Sequence, residues 1–383
     1  MRGFSEAEIA ARTARAQTAM AKVGAAGLLL TTEPEVRYFT GFHTLFWQSP
    51  TRAWFLFVPA EGRPVAVIPE IGADLMRRTW VEDIRTWSAP APHDDGLSLL
   101  ADLLEPLAEA REKILIPKGH ETILRMPLSD FERLVERLPG LVWEDATEIV
   151  RGLRMVKSEA EIEKLRHICE IGSRAFSQVP DFARENEPLE AVFRAFRRAG
   201  LAQGADDAPY VVGGAGQGGY RDVISPPTQT PLADGDILML DTGMTWDGYF
   251  CDFDRNWAIG RADDMARRVY DVLWRATEAG IEAARPGATC RDVFKAIQSV
   301  TSEIDPGGGD VGRFGHGLGM QLTEWPSMAA WDETVITENM VLTIEPSLGY
   351  GDGKVMVHEE NIVIRASGAE LLTQRALRDL PII

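Results

Sequence analysis

The chain has 383 residues, 45% hydrophobic and 26% charged, the profile of a folded globular protein of two or three domains. A formal charge of −18 leaves no basic surplus for phosphates, which argues against nucleic acid and anionic membranes as partners. No apolar run is long enough to span a bilayer, residues 1–6 do not read as a secretion signal, and three scattered cysteines (Cys169, Cys251, Cys290) fit a reducing cytoplasm.

Ser5-Glu-Ala-Glu8 has the spacing of a helix capping box and precedes an alanine-rich helical stretch. Strands are expected at 27–32, 54–58, 65–68, 114–116 and 141–143, with 54–58 and 65–68 joined as a hairpin. Helices are expected at 97–109, where Pro106 is a potential kink, and at 128–138. Tyr38-Phe-Thr-Gly-Phe42 and Phe46-Trp47 read as core packing before a cleft lining. His43, His93 and His120 read as surface or packing histidines. A second capping box, Ser158-Glu-Ala-Glu161, opens a helix carrying Ile162, Leu165, Cys169 and Phe176, and the domain boundary is placed just before it, near 150–157. Further helices are expected at about 188–200, 263–284 and 290–303. Between them lie the glycine-rich run 213–219 and the loop Pro306-Gly-Gly-Gly-Asp310.

The chemistry concentrates in Asp241-Thr-Gly-Met-Thr-Trp-Asp-Gly-Tyr-Phe-Cys-Asp252. Asp247-Gly248 is a two-residue hairpin signal. With the turn there, Trp246 faces Tyr249, Gly243 faces Asp252 and Asp241 faces Asp254. Asp241, Asp252 and Asp254 then project from one face, where they repel one another unless a cation lies among them. A solvated acidic edge is the alternative, and the apolar flanks 237–240, Phe253 and Trp257 argue against it. Three more acceptors follow: His316 between glycines, Glu345 at a strand end, and Glu359-Glu360 in another strand. A three-residue turn centred on Asp352 sets Glu345 opposite Glu359, and a two-residue turn at Asp352-Gly353 sets it opposite Glu360; the sequence leaves both open. Four carboxylates and one neutral imidazole match two divalent cations, and two such ions about 3.5–4 Å apart activate water and polarise a carbonyl together. Oxygen-rich ligands with one imidazole suit Mn, Fe or Co better than Mg, while Zn in structural sites prefers Cys and His.

Asp241 and Asp252 eleven apart, His316 in Gly-His-Gly-Leu-Gly, Glu345 in Thr-Ile-Glu-Pro and Glu359 before Glu-Asn-Ile-Val together resemble the pita-bread metallopeptidases, relatives of prolidase, aminopeptidase P, methionine aminopeptidase and creatinase. Tyr38-Phe-Thr-Gly-Phe42 is similar to the creatinase-type N-terminal domain. The resemblance implies an α/β chain of the α+β type: a creatinase-like domain over 1–150 and a catalytic pita-bread domain over 151–383. It implies that Asp241 chelates one metal, that Asp252 and Glu359 bridge both, and that His316 and Glu345 hold the second. The implied cofactor is two divalent ions, Mn first, with Fe, Co or Zn as alternatives. A metal-bridging hydroxide would attack the amide bond of a small Xaa-Pro-like peptide or related amide, with Glu345 as proton shuttle. A cytoplasmic homodimer is implied as well.

Several positions depart from that pattern. The family's second histidine is replaced by Thr323, and its upstream histidine by Ile224. A common Thr is Asp254, and a common Arg is Val357. The missing histidines hold substrate and oxyanion, a loss of roughly 10²–10³ in rate if nothing replaces them. Arg221, Asp222 and Tyr220 lie near the empty position, and the candidate catalytic residues are Glu345, Asp254, Arg221 and Asp222; Asp254 reads as an extra metal ligand or a partner of one, and equally as a carboxylate paired with an arginine. His358 alternates away from Glu359. These departures keep other readings in view: a lyase of the dimethylsulfoniopropionate type, a metal-free C–N hydrolase like creatinase or ectoine hydrolase, and a binding module without activity.

Overall fold

Short apolar runs such as Gly27–Leu30 and Val65–Pro69 become strands, and 3.6-period segments such as Glu159–Phe176 become helices. The structure, a computed structural model, describes residues 2–48, 52–304 and 312–383, so the expected loop at 306–310 lies outside the described residues. It divides into two compact units, Met1–Arg154 and Met155–Ile383. No helix among the described residues is long and apolar enough to cross a membrane.

The first unit is built on strands β1 (Gly27–Leu30), β2 (Phe55–Pro59), β3 (Val65–Pro69), β4 (Asp83–Trp87), β5 (Lys113–Ile116) and β6 (Val142–Asp145), in sheet order β4-β3-β2-β1-β5-β6. β2 and β3 form the expected antiparallel hairpin, whereas β1, β5 and β6 run parallel. Such parallel pairs need crossovers, supplied here by the helices Leu97–Glu109 and Leu128–Arg137. Their Leu100, Leu104 and Leu134 share one core with Leu29, Phe55, Phe57 and Val67. Tyr38, Phe39, Phe42 and Trp47 are buried, so core packing is their role, while His43, His93 and His120 are exposed. Tyr38 and Phe39 lie on a helix, Glu33–Thr40, that the sequence reading did not assign. Its signals were present: a Thr32–Glu35 capping box and a proline in the first turn.

The second unit starts with the helix Glu159–Phe176, whose Ser158–Glu161 box makes both reciprocal bonds. Strands β7 (Asp207–Gln217), β8 (Asp236–Trp246), β9 (Tyr249–Phe250) and β10 (Phe253–Ala258) follow, with β8 between β7 and β10 and carrying β9. Later come β11 (His316–Gly317), β12 (Glu324–Ser327), β13 (Val341–Ile344), β14 (Ser347–Tyr350), β15 (Lys354–Val357), β16 (Glu360–Arg365) and β17 (Gly368–Leu371). Their main sheet has the order β12-β11-β13-β16-β17, and β14 pairs with β15.

Strand alternation decides which side chains reach the helices. The residues flanking the acids, Cys251 and Phe253, face the helix Glu159–Phe176: a Cβ on Gly172 would meet Phe253 at 2.9 Å and the Cys251 sulfur at 3.3 Å. Only glycine lets that helix come so close. Burying Phe253 there is worth about 1.5–3 kcal/mol, and the period of two then commits Asp252 and Asp254 to the opposite face.

Candidate metal centre

The β8–β10 register follows the turn arithmetic. Trp246 pairs with Tyr249 and Asp254 with Asp241. Between these ladders the Cys251 amide donates to the Met244 carbonyl at 3.0 Å, which carries the register past Asp252. Asp252 is 4% and Asp254 2% exposed, so the solvated-edge alternative fails. Asn361 fixes Asp252 from the neighbouring strand: its Oδ1 accepts from the Asp252 amide at 3.0 Å, and its Nδ2 donates to the Asp252 carbonyl. Gly243 keeps the space open, since a Cβ there would lie 2.4 Å from Leu322 Cδ1 and 3.1 Å from Tyr210 Cβ.

The second hairpin resolves the choice left open at Asp352. Ile344 pairs with Glu360 and Tyr350 with Lys354, one continuous register around a three-residue turn. Continuing it sets Glu345 opposite Glu359, and the His358 amide donates to the Pro346 carbonyl at 3.0 Å in keeping. Glu360 points to the other side, where Arg255 and Arg375 meet its two oxygens at 3.0 and 3.1 Å. Glu359 is 2% exposed and its Oε1 has no partner.

His316 enters on β11. Glycines on both sides are sterically required, because a Cβ on Gly315 would sit 2.2 Å from the Thr343 carbonyl oxygen and one on Gly317 2.0 Å from that of Trp325. The His316 Nδ1 lies 2.8 Å from the Gly317 carbonyl. A carbonyl only accepts, so Nδ1 carries the proton and Nε2 presents its lone pair. That nitrogen is 3.4 Å from Asp252 Oδ2. Ligand atoms of Asp252, His316 and Glu359 all lie within 4.8 Å of one another.

The electrostatics are one-sided. Burial, then neighbouring carboxylates, raises Asp252, Glu359 and Asp254 well above the usual carboxylate range. Burial and Glu345 push Asp241 up to about 7, and burial pushes Glu345 to about 7 against the pull of Arg313. Burial and Arg313 hold His316 down to about 4, so its imidazole is neutral at pH 7 and forms no ion pair with Asp252. Buried carboxylate oxygens without partners occur on Asp241 (Oδ1), Asp254 (Oδ2) and Glu359 (Oε1). An unpaired buried charge is costly, and a divalent cation among these oxygens removes the cost. The donor set therefore fits metal.

Other candidates are not brought to this cluster. Arg221 and Asp222 are exposed and line a cavity of about 500 Å³ with the 213–217 backbone and Lys354, lined by none of the clustered acids. Asp222 folds back on its own turn, its Oδ1 accepting from the Ile224 and Ser225 amides. Ile224 is 72% exposed and carries no side-chain donor, and Thr323, exposed too, presents a hydroxyl and no imidazole. Tyr220 is buried as a brace: its hydroxyl donates to Asn256 Oδ1 and accepts from the Val357 amide. His358 packs edge-on against Tyr270 on the side away from Glu359. Asp254 is not paired with an arginine: Arg255 donates to its backbone carbonyl, while its carboxylate accepts from the Glu359 amide at 2.9 Å.

Two residues at the cluster escaped the sequence reading. Tyr210 pairs with Gly243 across β7–β8 and so shares the face of Asp241. Burial first, then Asp241, Asp252, Glu359 and Glu345, raises its phenol, which stays neutral, and no hydrogen bond engages its hydroxyl among the described residues. Arg313 lies within electrostatic reach of Asp252, Glu345 and His316. A partly exposed rim of Tyr210, Asp241, Phe250, Leu322 and Glu345 surrounds the buried acids.

Comparison with known proteins agrees with this fold. Residues 163–366 match metallopeptidase family M24, and residues 12–156 match the creatinase/prolidase N-terminal domain. The chain is 30% identical over 370 residues to the probable dipeptidase PepE of Mycobacterium tuberculosis, covering 95% of this chain and 93% of that protein. It is 27% identical over 234 residues to an Xaa-Pro dipeptidase of Pyrococcus furiosus, 59% of this chain and 65% of that one. The crystal structure of dipeptidase PepE from Mycobacterium ulcerans superposes with a TM-score of 0.85 at 28% identity, covering 100% and 99% of the two chains. A prolidase from Thermococcus sibiricus shares the fold with a TM-score of 0.85 at 22% identity, over 97% and 98%. The mixed α/β chain, creatinase-like at its N-terminal end and pita-bread at its C-terminal end, is thus a metallohydrolase that belongs to metallopeptidase family M24.

Proposed function

We propose that residues 151–383 form a dinuclear metallohydrolase cleaving the amide bond of a small dipeptide-like substrate, with residues 1–150 as an accessory creatinase-type domain. The observation that carries this is the convergence of Asp252, His316 and Glu359 within 4.8 Å beside three partnerless buried carboxylate oxygens. Asp241, Asp252, His316, Glu345 and Glu359 would hold two divalent ions, Mn first. Bound there, such ions supply Lewis acidity and lower the pKa of water.

The chain's own residues do the rest. Glu345, partly exposed at the edge of the cluster, takes the proton of the attacking water and returns it to the departing amine. Tyr210, neutral and at the rim, donates to the carbonyl oxygen as charge develops, the task left open at Ile224 and Thr323. Arg313 offsets acidic charge and is placed to meet an anionic substrate group. Phe250 and Leu322 form an apolar wall against which a short side chain packs.

The dipeptidase relatives support a peptide substrate and lend nothing to the lyase and metal-free readings. The unpartnered oxygens also speak against a metal-free centre. A homodimer belongs to this reading on the family resemblance, and light scattering of the purified chain tests it. The decisive assay is a dipeptide panel run on metal-stripped protein before and after Mn addition. Hydrolysis that returns with Mn is expected, with Xaa-Pro dipeptides cleaved poorly because Ile224 and Thr323 present no imidazole. Robust Ala-Pro or Gly-Pro turnover would refute that specificity. No hydrolysis of any dipeptide under Mn, Co, Fe or Zn would refute the function.

A further inference from the structure

Asp254 is more than a substitute for an uncharged residue. Its position opposite Asp241 places both side chains on the face that carries Asp252. Its Oδ1 is fixed by the Glu359 amide at 2.9 Å, and its Oδ2 is buried without a partner. At 2% exposure, no water shell screens that charge. The neighbouring arginine gives its carboxylate no hydrogen bond: the Arg255 guanidinium donates to backbone carbonyls of Asp254 and Glu359 and to the Glu360 carboxylate. Holding one backbone amide needs only a neutral acceptor, so a buried carboxylate is an expensive choice for that task alone.

We propose that Asp254 is itself part of the metal centre, giving Oδ2 as an additional oxygen ligand on the Asp241 side while Oδ1 fixes the backbone of Glu359. This rests on the metallohydrolase reading above. The centre then has five carboxylates around one neutral imidazole, one negative charge more than two divalent ions neutralise. That excess favours hard, oxygen-preferring ions such as Mn or Fe over Zn, and it strengthens ion binding on the Asp241 side.

The test compares wild type with Asp254→Asn, which keeps the volume and the Oδ1 acceptor but replaces Oδ2 with an amide nitrogen. Metal-stripped proteins are titrated with MnCl₂ alone by calorimetry, and their unfolding is followed without metal. Wild type is expected to take two ions, and D254N to lose about 10–100-fold or more in affinity at one of them. Metal-free D254N is expected to unfold at or above the wild-type temperature, because a buried unpaired carboxylate has gone. Asp254→Ser, also an acceptor without charge, gives the same comparison if the amide variant does not fold. Wild-type stoichiometry and affinity in either variant would overturn the ligand role and leave the metallohydrolase reading standing. A wild type that binds no Mn, Co, Fe or Zn would overturn both.

Discussion

Glu359 and Glu360 are adjacent in the chain and live in opposite electrostatic worlds. Behind the strands, Glu360 is fully buried, and its oxygens meet Arg255, Arg375, the Thr373 hydroxyl and the Ala376 amide. In front, Glu359 shares a face with Asp241, Asp252, Asp254 and Glu345, and none of these five is in a salt bridge with lysine or arginine among the described residues. One buried acid is neutralised by the protein, whereas the others await something from outside it. The difference teaches where this fold expects a ligand, independently of any motif.

That contrast can be broken by mutation. Asp252→Ala should reduce hydrolysis to background and abolish tight Mn binding while leaving the metal-free fold at least as stable; turnover close to wild type would remove Asp252 from the centre. Glu360→Gln should do the reverse. It leaves two guanidiniums beside an uncharged amide, a cost of about 3–5 kcal/mol read by denaturant unfolding. An unaffected midpoint would mean the rear arginines are held by their other acceptors. Tyr210→Phe removes only the proposed donor, so kcat should fall by roughly 10²–10³ with metal stoichiometry unchanged. A lower Mn occupancy instead would recast Tyr210 as part of the metal shell.

The smallest effect concerns pH. Asp241 and Glu345 are held up to about 7 in the folded, metal-free protein, against roughly 4 in an unfolded chain. Between those values the folded state binds more protons. Their stabilising contribution is therefore full below about pH 4 and is lost as pH rises through about 7. The melting temperature of metal-free protein should fall between about pH 6.5 and about pH 8, above the range in which His316, held down to about 4, opposes the trend, and saturating Mn should flatten the slope. A flat profile in chelator would show that the front acids are relieved by something other than metal.

The first hairpin was legible because Asp247-Gly248 fixes a turn and a period of two does the rest. The second was not, because Gly351-Asp352-Gly353 admits two turns, and what distinguishes Glu359 from Glu360 is a pair of arginines from elsewhere in the fold. Tyr210 was missed for a similar reason: its place over Gly243 depends on β7 pairing with β8 past an irregularity between Asp207 and Tyr210. Arg221 and Asp222 stand apart from the cluster, in a local turn that satisfies the carboxylate and leaves both side chains exposed. Asp254 was visible as an acid, but only the structure shows that its second oxygen is left without a partner.

The central claim is that divalent ions hold the front acids together. Thermal unfolding of chelator-treated protein, titrated with MnCl₂ beside an Asp252→Asn control, tests it directly. The account predicts a wild-type melting temperature that climbs until two ions are bound per chain, with little climb in D252N. A wild-type curve indifferent to Mn, Co, Fe and Zn would contradict it.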